Sequence, residues 1–143
     1  SGKANINAED GKCETSFYKA YCNRHFDTVK YLLGRPNMFP NSRARCGTTV
    51  LHLASANGHL DVVKWLVESG KANINAEDGK CETSFYKAYC NRHFDTVKYL
   101  LGRPNMFPNS RARCGTTVLH LASANGHLDV VKWLVESGKA NIN

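Results

Sequence analysis

The sequence returns on itself every 68 residues. SGKANINAEDGKC opens at Ser1 and again at Ser69, and SGKANIN appears a third time from Ser137. Inside each 68 lies a weaker period of 34. Setting Glu14–Leu33 beneath Thr48–Val67 aligns Thr15 with Thr49, Phe17 with Leu51, Ala20 with Ala54, His25 with His59, Asp27 with Asp61, and Val29-Lys30 with Val63-Lys64. A period in the low thirties means that each unit is one supersecondary element, unable to bury its apolar face except against a neighbouring copy. With a helix pair read in each unit, the expected fold is an all-α solenoid. It forms a single domain over 1–143, with units at approximately 7–40, 41–74, 75–108 and 109–143, and 1–6 as the tail of a preceding repeat.

The unit is clearest in TTVLHLASANGHLDVVKWLVESG, Thr48 to Gly70, which recurs unchanged from Thr116 to Gly138. Thr49 suits an N-cap, its hydroxyl accepting from an amide of the opening turn. Leu51, Ala54 and Ser55 fall at helical spacing and make a narrow stripe that lets a neighbour approach closely. Gly58 ends this helix, being free to take the left-handed conformation. Asp61 places an acid at the start of a second helix, whose Val62, Val63, Trp65, Leu66 and Val67 form an apolar face before Gly70 stops it. Neither helix is long enough to be stable alone in water.

Composition narrows the setting. With 42% hydrophobic residues among 143, the chain can bury a continuous core. It has no 18-residue apolar run and no signal-peptide pattern at Ser1, so the expectation is a soluble protein of the cytoplasm or nucleus. The six cysteines, Cys13, Cys22, Cys46, Cys81, Cys90 and Cys114, are three positions copied twice. Their spacing is the repeat period, and free thiols are expected. Both ends fall on ordinary internal units, which suggests a fragment of a longer array, natural or concatenated.

At these residues the chain resembles an ankyrin-repeat protein. TVLHLA (Thr49–Ala54) and GHLDVVKWL (Gly58–Leu66) are similar to the family's TPLHxA and GHxxVVxLL, and Gly70-Lys-Ala-Asn-Ile-Asn-Ala to its GADVNA hairpin stem. The odd units depart from that pattern. Ser16, Tyr18 and Arg24 stand for Pro, His and Gly, Cys13 for a hairpin Gly, and Arg35-Pro36 for Xaa-Gly. Arg24 and Arg92 are thereby expected at positive φ. Asn75 resembles the position that an asparagine hydroxylase modifies in some members, with Asn7 and Asn143 as its terminal copies; the plainer expectation is an asparagine that braces the turn. Met38 and Phe39, apolar in the loop Gly34–Arg45, are expected to fold beneath the hairpin as a satellite core, with an exposed hot spot as the alternative.

The resemblance implies a non-enzymatic scaffold that binds another protein on a concave face of hairpin tips and first helices. Carried over by position, that face comprises Glu9, Lys12, Glu14, Cys22 and Asn23, then Arg43, Arg45, Thr48 and Asn57, with Glu77, Lys80, Glu82, Asn91, Arg111, Arg113, Thr116 and Asn125 as the copies. Arg43 and Arg45 are expected to pair with Glu77 and Asp78 on the next tip. The net charge of +7 raises nucleic acid as a partner, but no aromatic-interleaved basic patch accompanies it. Cys22 with His25, and Cys90 with His93, make half a zinc site at most, and the spacing favours a local hydrogen-bonding role for the histidines. No phosphate loop, nucleophile elbow or carboxylate pair is present, so no catalytic residue, cofactor or metal is expected, and no membrane partner. The alternative function is a structural spacer or self-associating segment of a long identical-repeat array, stacking end to end.

Overall fold

The structure is a computed structural model that describes residues 4–44 and 46–142. Among them lie eight helices in four pairs: α1 (Ser16–Cys22) with α2 (Phe26–Leu33), α3 (Val50–Asn57) with α4 (Leu60–Glu68), α5 (Ser84–Cys90) with α6 (Phe94–Leu101), and α7 (Val118–Asn125) with α8 (Leu128–Glu136). No strand is formed among the described residues; one isolated bridge joins Glu9 to Thr15. The fold is an all-α helix-turn-helix repeat solenoid, as the periodicity predicts.

Each first helix is entered through a threonine. Thr15, Thr49, Thr83 and Thr117 accept, through their hydroxyls, the amides of Tyr18, His52, Tyr86 and His120. In the even units the imidazole completes the cap, His52 Nδ1 accepting the Thr49 amide at 3.1 Å. The turn into each second helix passes through the left-handed region: Gly58 and Gly126 at φ 72°, and Arg24 and Arg92 at φ 62°, the strain foreseen for the odd units. Cys13 and Cys81 take the same conformation, at φ 62° and 61°, where the even tips have Gly47 and Gly115 at φ 80° and 83°.

The second helices line up in a row, α2 on α4, α4 on α6, and α6 on α8. The first helices alternate. α3 and α5 make the most extensive contact between pairs, because Ala54, Ser55, Ser84 and Ala88 are small and fully sealed between them. Rings fill the other junctions instead. Tyr21, Phe26 and His59 cluster with centroids 5.1–5.7 Å apart, the tyrosine hydroxyl meeting His59 Nδ1 and accepting from Asn57 Nδ2 at 3.2 Å. Tyr89, Phe94, His127 and Asn125 repeat the arrangement. One continuous core results, running from Phe17 to Leu134.

Met38 and Phe39 part company, which corrects the expectation of a shared satellite core. Met38 is 1% exposed and joins the core, whereas Phe39 is 64% exposed; Met106 and Phe107 behave likewise. Pro40 is buried beyond them, so the segment alternates inward and outward as extended chain does.

Candidate protein-interaction face

The hairpin tips are built on carboxylates and glycines. Asp10 Oδ1 accepts the amides of Lys12 at 2.8 Å and Glu14 at 3.0 Å, and Asp78 Oδ1 those of Lys80 at 2.9 Å and Glu82 at 3.0 Å. Lys19 reaches both Asp10 (2.9 Å) and Glu14 (3.5 Å), and Lys87 both Asp78 (3.1 Å) and Glu82 (2.8 Å). The Lys19 ammonium and the two amides hold the Asp10 carboxyl down at about 2. At Asp78 burial pushes the carboxyl up, but the amides of Glu82 and Lys80 together with Lys87 outweigh it and leave it lowered. The even tips share the backbone closure, Ala44 N–H donating to Thr48 O at 3.0 Å as Asp10 N–H does to Glu14 O, but have alanine in place of the aspartate, and there the Cys46 thiol and Thr48 hydroxyl lie 2.8 Å apart.

The second, third and fourth tips are tied backbone to backbone. Gly79 N–H donates to Cys46 O at 3.1 Å, and Arg113 N–H to Lys80 O at 2.9 Å. The approach is so close that a Cβ on Gly47 would lie 2.9 Å from Gly79 N, and one on Gly79 2.9 Å from Cys46 O. Arginines reinforce the row. Arg43 Nη1 donates to Glu77 O at 2.7 Å and Arg113 Nη2 to Gly79 O at 2.6 Å. The expected pairing of Arg43 with the carboxylates of Glu77 and Asp78 therefore does not form: the guanidinium takes a main-chain carbonyl, and Asp78 is held by Lys87. Arg45 lies outside the described residues.

Several residues assigned to the face have structural partners. Asn23 and Asn91 donate to Lys19 O and Lys87 O, each at 2.9 Å, at the ends of their own helices. Asn57 and Asn125 hold Tyr21 and Tyr89, Thr116 accepts from the Cys114 thiol at 3.3 Å, and Arg111 donates to Gly115 O at 3.4 Å. Burial pushes the Cys22 and Cys90 thiols up, and the Thr116 hydroxyl brings that of Cys114 down. Glu9, Lys12, Lys80 and Arg111 are exposed at the tips, with Glu77 partly covered beside them.

Sequence reasoning missed an asparagine ladder. Asn7, Asn41, Asn75 and Asn109, each 34 residues from the next, donate through Nδ2 to the carbonyl 30 residues on, at Asn37, Lys71, Asn105 and Lys139, over 2.7–2.9 Å. Their Oδ1 atoms accept the amides 32 residues on, at Phe39, Asn73, Phe107 and Asn141, over 2.7–3.0 Å. Asn75 thus braces the loop after α6 rather than its own turn, and both ends of its side chain are engaged; Asn143 lies outside the described residues. The 34-residue spacing was the available signal, hidden because Asn41 and Asn109 follow proline in loops unlike the Asn75 stem. Lys71 adds a cap from unit to unit, its ammonium donating to Leu33 O at 2.9 Å and Arg35 O at 2.8 Å at the end of α2.

The imidazole of His52 links two units. It is buried, its Nε2 lies 3.0 Å from Glu82 O, and burial pushes its pKa down. Among the described residues no three His, Cys, Asp or Glu side chains gather to hold a metal ion, the cysteines are free, and no helix is long and apolar enough to cross a membrane.

This combination of threonine-capped helix pairs, bracing histidines and a linked row of tips agrees with the family comparison. The model described as ankyrin repeats (3 copies) matches residues 2–78 and 72–143. The chain belongs to the ankyrin-repeat family. Ankyrin repeats generally mediate protein–protein interaction, and the family is typically a non-enzymatic scaffold. No curated protein matches the chain.

Proposed function

We propose that this ankyrin-repeat chain is a scaffold that binds a protein partner along its row of hairpin tips and the adjoining first-helix surface, the face assigned from the sequence. The observation that carries the reading is the backbone linkage of the tips from Cys46 through Gly79 and Lys80 to Arg113. A row fixed in this way presents its outer side chains already ordered, so that little conformational freedom is lost on binding. Lys80 and Arg111 project cations from it and Lys12 adds one at the first tip, and the chain carries a net charge of +7; a partner with an acidic surface is the complement.

The test removes charge without unlinking the tips. A Lys12→Gln, Lys80→Gln, Arg111→Gln variant is compared with one carrying Lys30→Gln and Lys98→Gln on the second helices, using proteins captured from the native cell by the unmodified chain. At about 1 kcal/mol per exposed pair, the tip variant is expected to bind roughly a hundredfold more weakly, with binding by the helix variant retained. Equal binding by both would overturn the assignment of the face.

A further inference from the structure

The loops after α2 and α6 each hold one large apolar side chain out in solvent. Phe39 is 64% exposed and Phe107 63%, and each lies between two helix pairs, so the exposure belongs to the loop itself. Neither ring is free to turn inward. Met38 and Pro40 are buried on either side of Phe39, as Met106 and Pro108 are beside Phe107, and the amides of Phe39 and Phe107 are clamped by Asn7 Oδ1 and Asn75 Oδ1 at 3.0 and 2.9 Å. Asn73 and Asn141 give their amides to Asn41 and Asn109 in the same way. These positions form one row along the stack, phenylalanine alternating with asparagine. Helices pack about 8–10 Å apart, which puts the two rings, two units from each other, at a separation of roughly 20 Å.

Cations are fixed in the same loops. Lys71 Nζ donates to Arg35 O at 2.8 Å, the carbonyl that also accepts the Met38 amide at 3.2 Å, and Lys139 and Met106 meet on Arg103 O in the same way. The Arg35 and Arg103 guanidiniums are held over Tyr31 and Tyr99, 4.7 and 4.5 Å from the ring centres. The sequence has no acidic residue from Thr28 to Leu60, from Ser69 to Ala76, or from Thr96 to Leu128. Glu68 approaches from α4, its Oε2 accepting from Tyr99 at 3.1 Å, and offsets part of the charge.

We propose that this row is a peripheral docking edge for an anionic lipid surface, with Phe39 and Phe107 entering the bilayer interface and Arg35, Lys71, Arg103 and Lys139 facing acidic headgroups. Charge complementarity selects an anionic surface, and the spacing of the rings selects lipid over protein. Two lone rings roughly 20 Å apart would need two separate sockets in a protein partner, and by themselves they fall short of the area of a stable protein interface. A bilayer accepts an aromatic side chain at any spacing, and each fixed cation beside it adds attraction to an anionic leaflet. Such a contact lies on the membrane and needs no helix long enough to cross one. It departs from the sequence expectation of no membrane partner, because the determinants are a loop conformation and a row of positions 34 residues apart.

Co-sedimentation of the full chain with phosphatidylcholine vesicles, with and without phosphatidylserine, is expected to show binding only where phosphatidylserine is present, weakening as salt is raised. Phe39→Ala together with Phe107→Ala should weaken it roughly tenfold per ring, with helix content unchanged because both rings are exposed. Arg35→Gln together with Arg103→Gln should weaken it about fivefold per charge. Lys12→Gln together with Lys80→Gln removes as much charge from the hairpin tips and should leave vesicle binding within about twofold. Failure to bind phosphatidylserine vesicles, or equal binding by the phenylalanine variant, would overturn the proposal. So would a loss in the tip variant as large as that in the arginine variant. If the phenylalanine variant instead loses proteins captured from the native cell while vesicles go unbound, the edge serves a protein and the lipid assignment falls. The tips and this edge are altered in separate variants, so failure of one reading leaves the other standing.

Discussion

Arg24 and Arg92 hold a conformation that side chains with a Cβ avoid, where the even units use Gly58 and Gly126. Left-handed strain of about 1–2 kcal/mol, offset by glycine's larger loss of freedom of about 0.5–1 kcal/mol, predicts that Arg92→Gly raises the unfolding free energy by roughly 0.5–1 kcal/mol in urea titration. The two glycines form a second internal control. Both have φ 72°, but a Cβ on Gly58 would lie 2.5 Å from His93 Nδ1, while one on Gly126 meets nothing within 4 Å. Gly126→Ala should cost about 1 kcal/mol through backbone strain, and Gly58→Ala a further ~1–3 kcal/mol through overpacking, both read from urea midpoints. At His52 burial lowers the folded pKa below the ordinary value of 6.5. The unfolded chain then binds more protons in the window between the two values, so stability falls as pH drops through 6.5 towards the folded value. Thermal melts should show this slope below neutrality, and His52→Gln should flatten it.

Helices α3 and α5 are both capped by threonine, but only Thr49 also fixes a histidine that reaches the next unit. Thr83→Ala should therefore cost about 1 kcal/mol, the ordinary value of a cap, and Thr49→Ala about twice that, since the Glu82 contact loosens with it; chemical denaturation measures the difference. Elements of this kind were legible in the sequence because their determinants are local. Thr49, Gly58, Asp61 and Gly70 mark a start, a turn, a second start and a stop within one stretch, and the alignment with Gly58 placed Arg24 at positive φ. What escaped depended on residues 30 or more apart. Whether Arg43 met a carboxylate or a carbonyl was decided by how closely Gly47 and Gly79 let two tips approach. That Met38 points inward and Phe39 outward followed from the clamp of Asn7 on the Phe39 amide. Of the face assigned from the family pattern, Lys12, Lys80 and Arg111 stand exposed at the tips, whereas Asn57 and Asn125 hold tyrosines, a role that only the folded junction reveals.

In the whole molecule each helix pair is completed by its neighbours, so one sequence should have different stability at different places in the stack. α3–α4 lies between two pairs, whereas α7–α8 meets one on its α6 side; by the same logic α5–α6 is flanked twice and α1–α2 once. Local opening should follow that count of neighbours rather than the sequence. The most direct measurement is residue-resolved amide hydrogen exchange by NMR, in dilute solution, on chains with one 68-residue half isotope-labelled so that identical segments are told apart. The linear stack predicts slower exchange in α3–α4 than in α7–α8, and in α5–α6 than in α1–α2, with Val63 protected more strongly than Val131. Equal protection of the identical copies would contradict it.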